Sequence, residues 1–404
     1  MKALPGFRDF YPPSLAVRQY LFETWRRQAT RYGFREYDGP PLEPLELYTL
    51  KSGQEIVRQL YNFTDKGDRA VALRPEMTPT LARMVAAAHR EYKKPLKWFA
   101  IPQLFRYEKQ QRGRLREHFQ FNADIIGESD IGADAELVAL AIDTLCALGL
   151  TRQDFVVRLS DRRAWARQLE RLGVAPEQHP AVLDAVDKME REPLEKTQEK
   201  LAAITSRGAE VLEFAQRGQP GEELAELLAR LGTLAEFCRV DYRIVRGLAY
   251  YTGIVWEIHD ARGELRAIAG GGRYDNLIAL VGGVDLPALG FGMGDVVLTE
   301  LLKERGLLPA YRPQLDVYVV IADESLRGAA WGLIHGLRQA GLAVDYALAP
   351  AKVSKQFQQA SALGARYAVV VGATEWQAGE VTLKNMETGA EERVAASAIA
   401  TRIS

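Results

Sequence analysis

Between about Trp165 and Phe237 the chain sheds its β-branched residues and fills with charged, leucine-bearing segments: WARQLERLG, AVLDAVDKMERE, PLEKTQEKLAAI and GEELAELLARLGTLAEF. Strand-like sequence resumes directly afterwards in VDYRIVRG and YYTGIVWEIHD. This interruption predicts a helical module inserted into an α+β domain. Strands that lie on either side of a whole helical module then have to meet in one sheet.

The flanking segments fill in that frame. Val17, Leu21, Trp25 and Ala29 recur at helical spacing within residues 14–32, and Gly33 with the Pro40-Pro41 pair ends that helix in a short extended stretch. A turn at DKGDR, a strand at AVALR and a helix within PEMTPTLARMVAAAHREY follow, and residues 132–149 form another helix closing on Gly149. From about Leu315 the strands LDVYVVIA, LAVDYALA and ARYAVVVG alternate with the helices SLRGAAWGLIHGLRQAG and VSKQFQQASALG. That alternation predicts a separate α/β domain with parallel strand pairs, joined through RGLLPAYRPQ.

The segment LFRYEKQQRGRLREHFQFNADIIGE raises a chemical question. Arg106, Lys109, Arg112, Arg114 and Arg116 crowd a chain whose formal net charge is only −1. Aromatic and β-branched residues flank them, so WFAIPQLFRYE and HFQFNADIIG read as two strands joined by the loop KQQRGR. Arginines on such a hairpin offer planar, bidentate donors to phosphate oxygens. On a regular second arm Gln120, Asn122 and Asp124 share one face, which suits an ammonium or imidazole group better than a core.

Other segments carry polar residues in unusual company. LRPEMTPT sets Arg74, Glu76 and Thr78 at a strand-to-helix junction, a place where Glu76 also simply favours the helix dipole. In IVRGLAYYTG, Arg246 precedes a tyrosine pair, and AIAGGGRYDNL and LGFGMGDVVL bring glycines without a Walker loop or a dinucleotide fingerprint. The glycine spacing in GFGMG suits a strand against which another backbone packs closely. Several fixed cations, few histidines and no nucleophile triad fit chemistry on phosphate, which relies on positioning and charge stabilisation.

Composition excludes other classes. Only Cys146 and Cys238 are present, without CxxC spacing, and the five histidines include no HExxH pair, so neither a zinc site nor a disulfide framework is expected. The start MKALPGFRDFYPP lacks an apolar signal core, and no apolar run approaches the roughly 20 residues that span a bilayer. A cytoplasmic protein with no membrane contact is the expectation.

Together and in order, these segments resemble the histidyl-tRNA synthetase family of class II aminoacyl-tRNA synthetases over essentially the whole chain. GFRDFYPP resembles the family's motif 1, FRYEKQQRGRLREHFQ its motif 2, LRPEMT, VRGLAYYTG and GGGRYDNL its histidine-specific segments, and KVSKQFQQASALGARYAVVVG with GEVTLKNMETG its anticodon-binding domain. The resemblance implies a catalytic core with an antiparallel sheet flanked by helices. Its first part would span 1–160 and its second 239–312, with a helical insertion at 161–238 and an anticodon-binding domain at 313–404. It implies activation of L-histidine by ATP, as the Mg²⁺ complex with no protein-bound metal, followed by transfer to tRNAHis in a homodimer. Arg106 and Arg246 would be catalytic at the α-phosphate, and Glu108, Arg114 and Phe119 would join Arg106 in holding ATP. The order REHFQ leaves His118, Phe119 or Phe121 as the ring on adenine. Glu76, Thr78, Gln120 and Asp124 would hold the amino group of histidine, Tyr251 and Tyr274 would line or reach the imidazole pocket, and Gln111 and Arg116 would face the tRNA acceptor end.

The chain also departs from the family pattern. Val297 stands in the slot of the arginine that ends motif 3, leaving Arg273 or a hairpin cation to cover the γ-phosphate. Ala249 replaces a customary Asp, and Asp124 stands where Glu is common. These departures make a non-acylating paralogue, the regulatory subunit of ATP phosphoribosyltransferase, the alternative expectation.

Overall fold

The computed structural model describes all of the 404 residues except 51–58, 110, 191, 246–249, 312–314 and 404. Pro12 and Pro13, whose missing N–H groups cost nothing in a first turn, open a helix over Pro12–Arg31. Leu21, Trp25 and Ala29 on its inner face are fully buried, and the Trp25 ring stacks on Phe121 at 5.8 Å. The chain leaves this helix through Gly33 at φ +77°, a left-handed conformation that glycine adopts without strain.

The strands of the first part of the chain are β1 (Arg35–Glu36), β2 (Leu42–Pro44), β3 (Asn62–Thr64), β4 (Ala70–Leu73), β5 (Leu96–Ala100), β6 (Gln103–Phe105) and β7 (Glu117–Ile126). After them come β8 (Phe155–Asp161), β9 (Cys238–Val240), β10 (Ile254–Asp260), β11 (Ala269–Arg273) and β12 (Ala288–Gly294). Among the described residues the main sheet runs β1-β5-β7-β12-β11-β10-β8-β9, with β6 also paired to β7. Its interior pairs are antiparallel, and only the outer pairs β1·β5 and β8·β9 are parallel. β2, β4 and β3 form a small sheet beside it.

The first arm of the hairpin is not one strand. Ile101-Pro102 divides it into β5 and β6, because a proline in mid-arm removes a ladder donor. Both pieces still pair with the single long strand β7.

Strand β8 leads into helices Arg162–Arg171, His179–Lys188, Leu194–Ile204, Gly208–Ala215 and Glu222–Leu231, and β9 then returns parallel to β8. Leu169, Val186, Leu201, Leu224 and Leu227 on these helices join the same buried cluster as the sheet residues Val157 and Leu159. The Trp165 indole N–H donates to the Tyr242 carbonyl at 2.9 Å, tying the inserted helices to the turn just after β9.

Met1–Pro309 and Ala310–Ser404 are two compact units. In the second, β13 (Leu315–Ile321), β14 (Val344–Tyr346), β15 (Ala365–Val371), β16 (Glu380–Asn385) and β17 (Glu391–Ala395) take the order β14-β13-β15-β16-β17. The three strands expected from alternation are mutually parallel, and GEVTLKNMETG adds an antiparallel pair. Val317, Val319, Ile334, Val369 and Leu383 anchor a core of its own.

Candidate active site

Strand β7 sorts its side chains by alternation. Phe121 packs among Trp25, Phe99 and Phe291, and Phe119 lies edge-on to Phe10 and Phe22, so odd positions face the long helix. His118, Gln120, Asn122 and Asp124 occupy the other face. The expectation that Phe119 lies with the ligand-facing residues is therefore corrected, and among the three candidate rings His118 is the one on that face. Burial, with Arg106 and Arg8 nearby, pulls the His118 pKa down to about 3, so the ring is neutral.

The neighbouring strand explains how long polar side chains fit over a packed sheet. β12 pairs Gly290 with Asp124 and Gly292 with Asn122. A Cβ on Gly290 would fall onto the Asp124 carboxylate, and one on Gly292 would come within 2.5 Å of the Gln120 amide. The alternating glycines of GFGMG thus leave room for side chains of β7 rather than for another backbone.

A continuous polar path crosses this face. The Tyr274 hydroxyl donates to Asp124 Oδ1 at 2.5 Å, the Tyr274 and Tyr250 rings meet edge-on at 5.8 Å, and the Tyr250 hydroxyl donates to Glu76 Oε2 at 3.0 Å. Tyr251 packs against Tyr250 at 5.0 Å, and Thr78 lies within reach of the Tyr250 hydroxyl. Of these residues only Tyr250 is missing from the sequence-based set; the signal was the YY pair itself. Burial pushes the Asp124 pKa up to about 7, against a smaller opposite pull from the Tyr274 hydroxyl. Two buried acids thus sit at the ends of a tyrosine-walled path, since Glu76 is 8% and Asp124 3% exposed.

The cationic hairpin joins this path at the Glu76 end. Arg106 Nε donates to the Pro75 carbonyl at 3.0 Å, and the Phe105 amide donates to the Arg74 carbonyl at 3.0 Å. Arg74 itself is structural: its guanidinium is buried and braces the Gln103 and Gly39 carbonyls and Asp38. Arg114 pairs with Glu108, while Arg116 lies over the Tyr107 ring at 4.3 Å and donates to the Glu108 carbonyl. At the tip, Gln111 accepts from Arg266 and Arg112 reaches Glu304 on the helix Asp295–Glu304. Gly113, at φ +73°, backs onto Val297, so the slot of the absent motif 3 arginine lies under the hairpin tip.

Arg273 does not serve as a spare cation for phosphate. It is 2% exposed and bonded to Asp134 and to the Glu128 and Asp130 carbonyls. Arg246 and Ala249 lie outside the described residues. No group of three or more potential metal ligands occurs among the described residues, and none of their helices is long and apolar enough to cross a membrane.

Comparison with known proteins adds an independent line. A family model for histidyl-tRNA synthetase matches residues 6–295, and one for an anticodon binding domain matches residues 316–404. A histidine--tRNA ligase of Opitutus terrae is 47% identical, with 97% of this chain and 95% of that protein covered. A chloroplastic/mitochondrial histidine--tRNA ligase of Arabidopsis thaliana is 40% identical over 96% of this chain and 84% of that protein. A crystal structure of a histidyl-tRNA synthetase from a Nostoc species superposes with a TM-score of 0.82 at 25% identity, covering 100% of this chain and 98% of that one.

Proposed function

The chain belongs to the histidyl-tRNA synthetase family, and from that premise we propose that it activates L-histidine with ATP and transfers the histidyl group to tRNAHis. The observation that carries this reading is the path Glu76–Tyr250–Tyr274–Asp124 beside the docked hairpin. One buried acid is available for the ammonium group and the other for the imidazole, with fixed cations next to them for phosphate.

In this reading a carboxylate oxygen of histidine attacks the α-phosphorus and pyrophosphate leaves. A ribose hydroxyl at the 3′ end of the tRNA then attacks the carbonyl carbon of the adenylate, and AMP leaves. Arg106 and Arg246 stabilise the charge that grows on the α-phosphate. Glu108 and Arg114, already paired with each other, help hold ATP, with His118 rather than Phe119 as the ring toward adenine. Mg²⁺ enters with ATP as counter-charge to the triphosphate. Glu76 and Thr78 hold the ammonium group, while Gln120, Asp124, Tyr251 and Tyr274 form the side-chain pocket. Gln111 and Arg116, on the hairpin, meet the acceptor end of the tRNA.

The same reading includes the domain limits 161–238 for the inserted helices and 313–404 for the anticodon-binding domain, and a homodimer in the cytoplasm.

The test is histidine-dependent ATP–pyrophosphate exchange run beside charging of a tRNAHis transcript. Both activities are expected, with exchange lost in Arg246→Ala. Histidine binding without exchange would instead identify the regulatory paralogue.

A further inference from the structure

Tyr37, which follows β1, has a hydroxyl that is buried without a hydrogen-bond partner. Its backbone N–H donates to the Phe99 carbonyl, and its ring lies 5.7 Å from Trp98. Trp98 is the residue directly opposite Asp124 in the β5·β7 ladder. Tyr37 also belongs to the cluster that holds Tyr250, Tyr251 and Tyr274. Nothing in the proposed mechanism uses it.

Leaving a buried hydroxyl unpaired is costly, so its retention calls for an explanation. After burial itself, the Asp124 carboxylate is the largest influence that raises the Tyr37 pKa, and Tyr37 in turn helps to raise that of Tyr274. Two phenols therefore flank one carboxylate. Tyr274 takes Oδ1, whereas Tyr37 holds no bond.

We propose that Tyr37 is a specificity-determining residue, whose idle hydroxyl pairs with the imidazole of bound histidine beside Asp124. The inference rests on the histidine pocket described above and adds a member to it. Imidazole carries two ring nitrogens, one a donor and one an acceptor when neutral. Asp124 only accepts when ionised, so it satisfies the donor and leaves the second nitrogen in need of an O–H. A site built this way rejects an isosteric ring that lacks nitrogen, because the phenol would stay unpaired.

Tyr37→Phe keeps the ring against Trp98 and removes only the hydroxyl, and a Tm that is unchanged or raised, as loss of an unpaired buried hydroxyl predicts, serves as the folding control. Calorimetric titration on the full chain would compare histidine, histidinol and β-(2-thienyl)alanine. The expected result is a tenfold or greater weakening of both imidazole ligands, with thienylalanine binding unchanged and the ATP KM in exchange unmoved. Loss for histidine but not for histidinol would place Tyr37 at the carboxylate end and overturn the inference, as would no loss at all. Asp124→Asn separates the two levels of the argument. If it weakens histidine while Tyr37→Phe does not, only the role of Tyr37 fails; if neither does, the pocket reading itself fails.

Discussion

Arg273 at the end of β11 and Asp134 on the helix Ile131–Ala147 form an ion pair in which both side chains are almost fully buried, with guanidinium nitrogens 2.6 and 3.0 Å from one carboxylate oxygen. The pair locks the strand that leads into Tyr274 to a helix on the opposite side of the sheet.

Asp134→Asn should therefore be costly. Removing one partner of a buried pair leaves the other charge uncompensated, at about 3–5 kcal/mol. Urea unfolding should show a fall of that size, and a change below about 1 kcal/mol would mean that Arg273 finds other support.

Asp124 predicts a pH dependence. Its pKa in the fold, about 7, lies above the ordinary aspartate value of 3.8, so between those limits the folded state keeps a proton that the unfolded chain has released. Its contribution is fully present below about pH 4 and is lost as pH rises through about 7, on the order of 2–4 kcal/mol. Thermal unfolding of Asp124→Asn should lack this part of the decline. Parallel curves for the variant and the parent protein would show that folding leaves the Asp124 pKa unshifted.

Gln120→Ala should raise the histidine KM by about tenfold or more while the ATP KM moves little, since a buried polar ligand is left with an unpaired group. Gly292→Ala tests the same geometry from the facing strand. Its new Cβ would sit 2.5 Å from the Gln120 amide and displace it, so the same split between histidine and ATP kinetics is expected. Equal effects on both substrates would remove Gln120 from the histidine pocket.

Deleting residues 316–404 should lower tRNA charging far more than pyrophosphate exchange. The catalytic residues and their core lie within Met1–Pro309, and the deleted strands pack around a hydrophobic core of their own. Steady-state kinetics of the truncated chain check this, and a parallel collapse of exchange would show that the units depend on each other to fold.

Much of this was legible in local pattern. The period of two in QFNAD placed Gln120, Asn122 and Asp124 together, and the loss of β-branched residues after Trp165 marked the inserted helices. What escaped depends on partners distant in sequence. REHFQ has a ring or imidazole on both faces of the strand, so only the packing of Phe119 on Phe10 and Phe22 decides which side it takes. Arg273 looked available because Asp134 lies 139 positions away. Tyr37 carries no motif, and its position becomes informative only once β1 is seen beside β5 and Trp98 opposite Asp124.

The glycine stripe on β12 bears on how such a pocket can change over generations. Gly290 and Gly292 have no side chains of their own to lose, yet each is bound to the size of a residue on the next strand. A substitution on either strand alone meets a clash or a void. Substitutions that trade bulk across the ladder, a smaller residue at 120 with alanine at 292, keep the volume filled. Retuning the ligand preference of this fold therefore proceeds through linked pairs of mutations, with the first step of each pair deleterious, and this slows drift at the site.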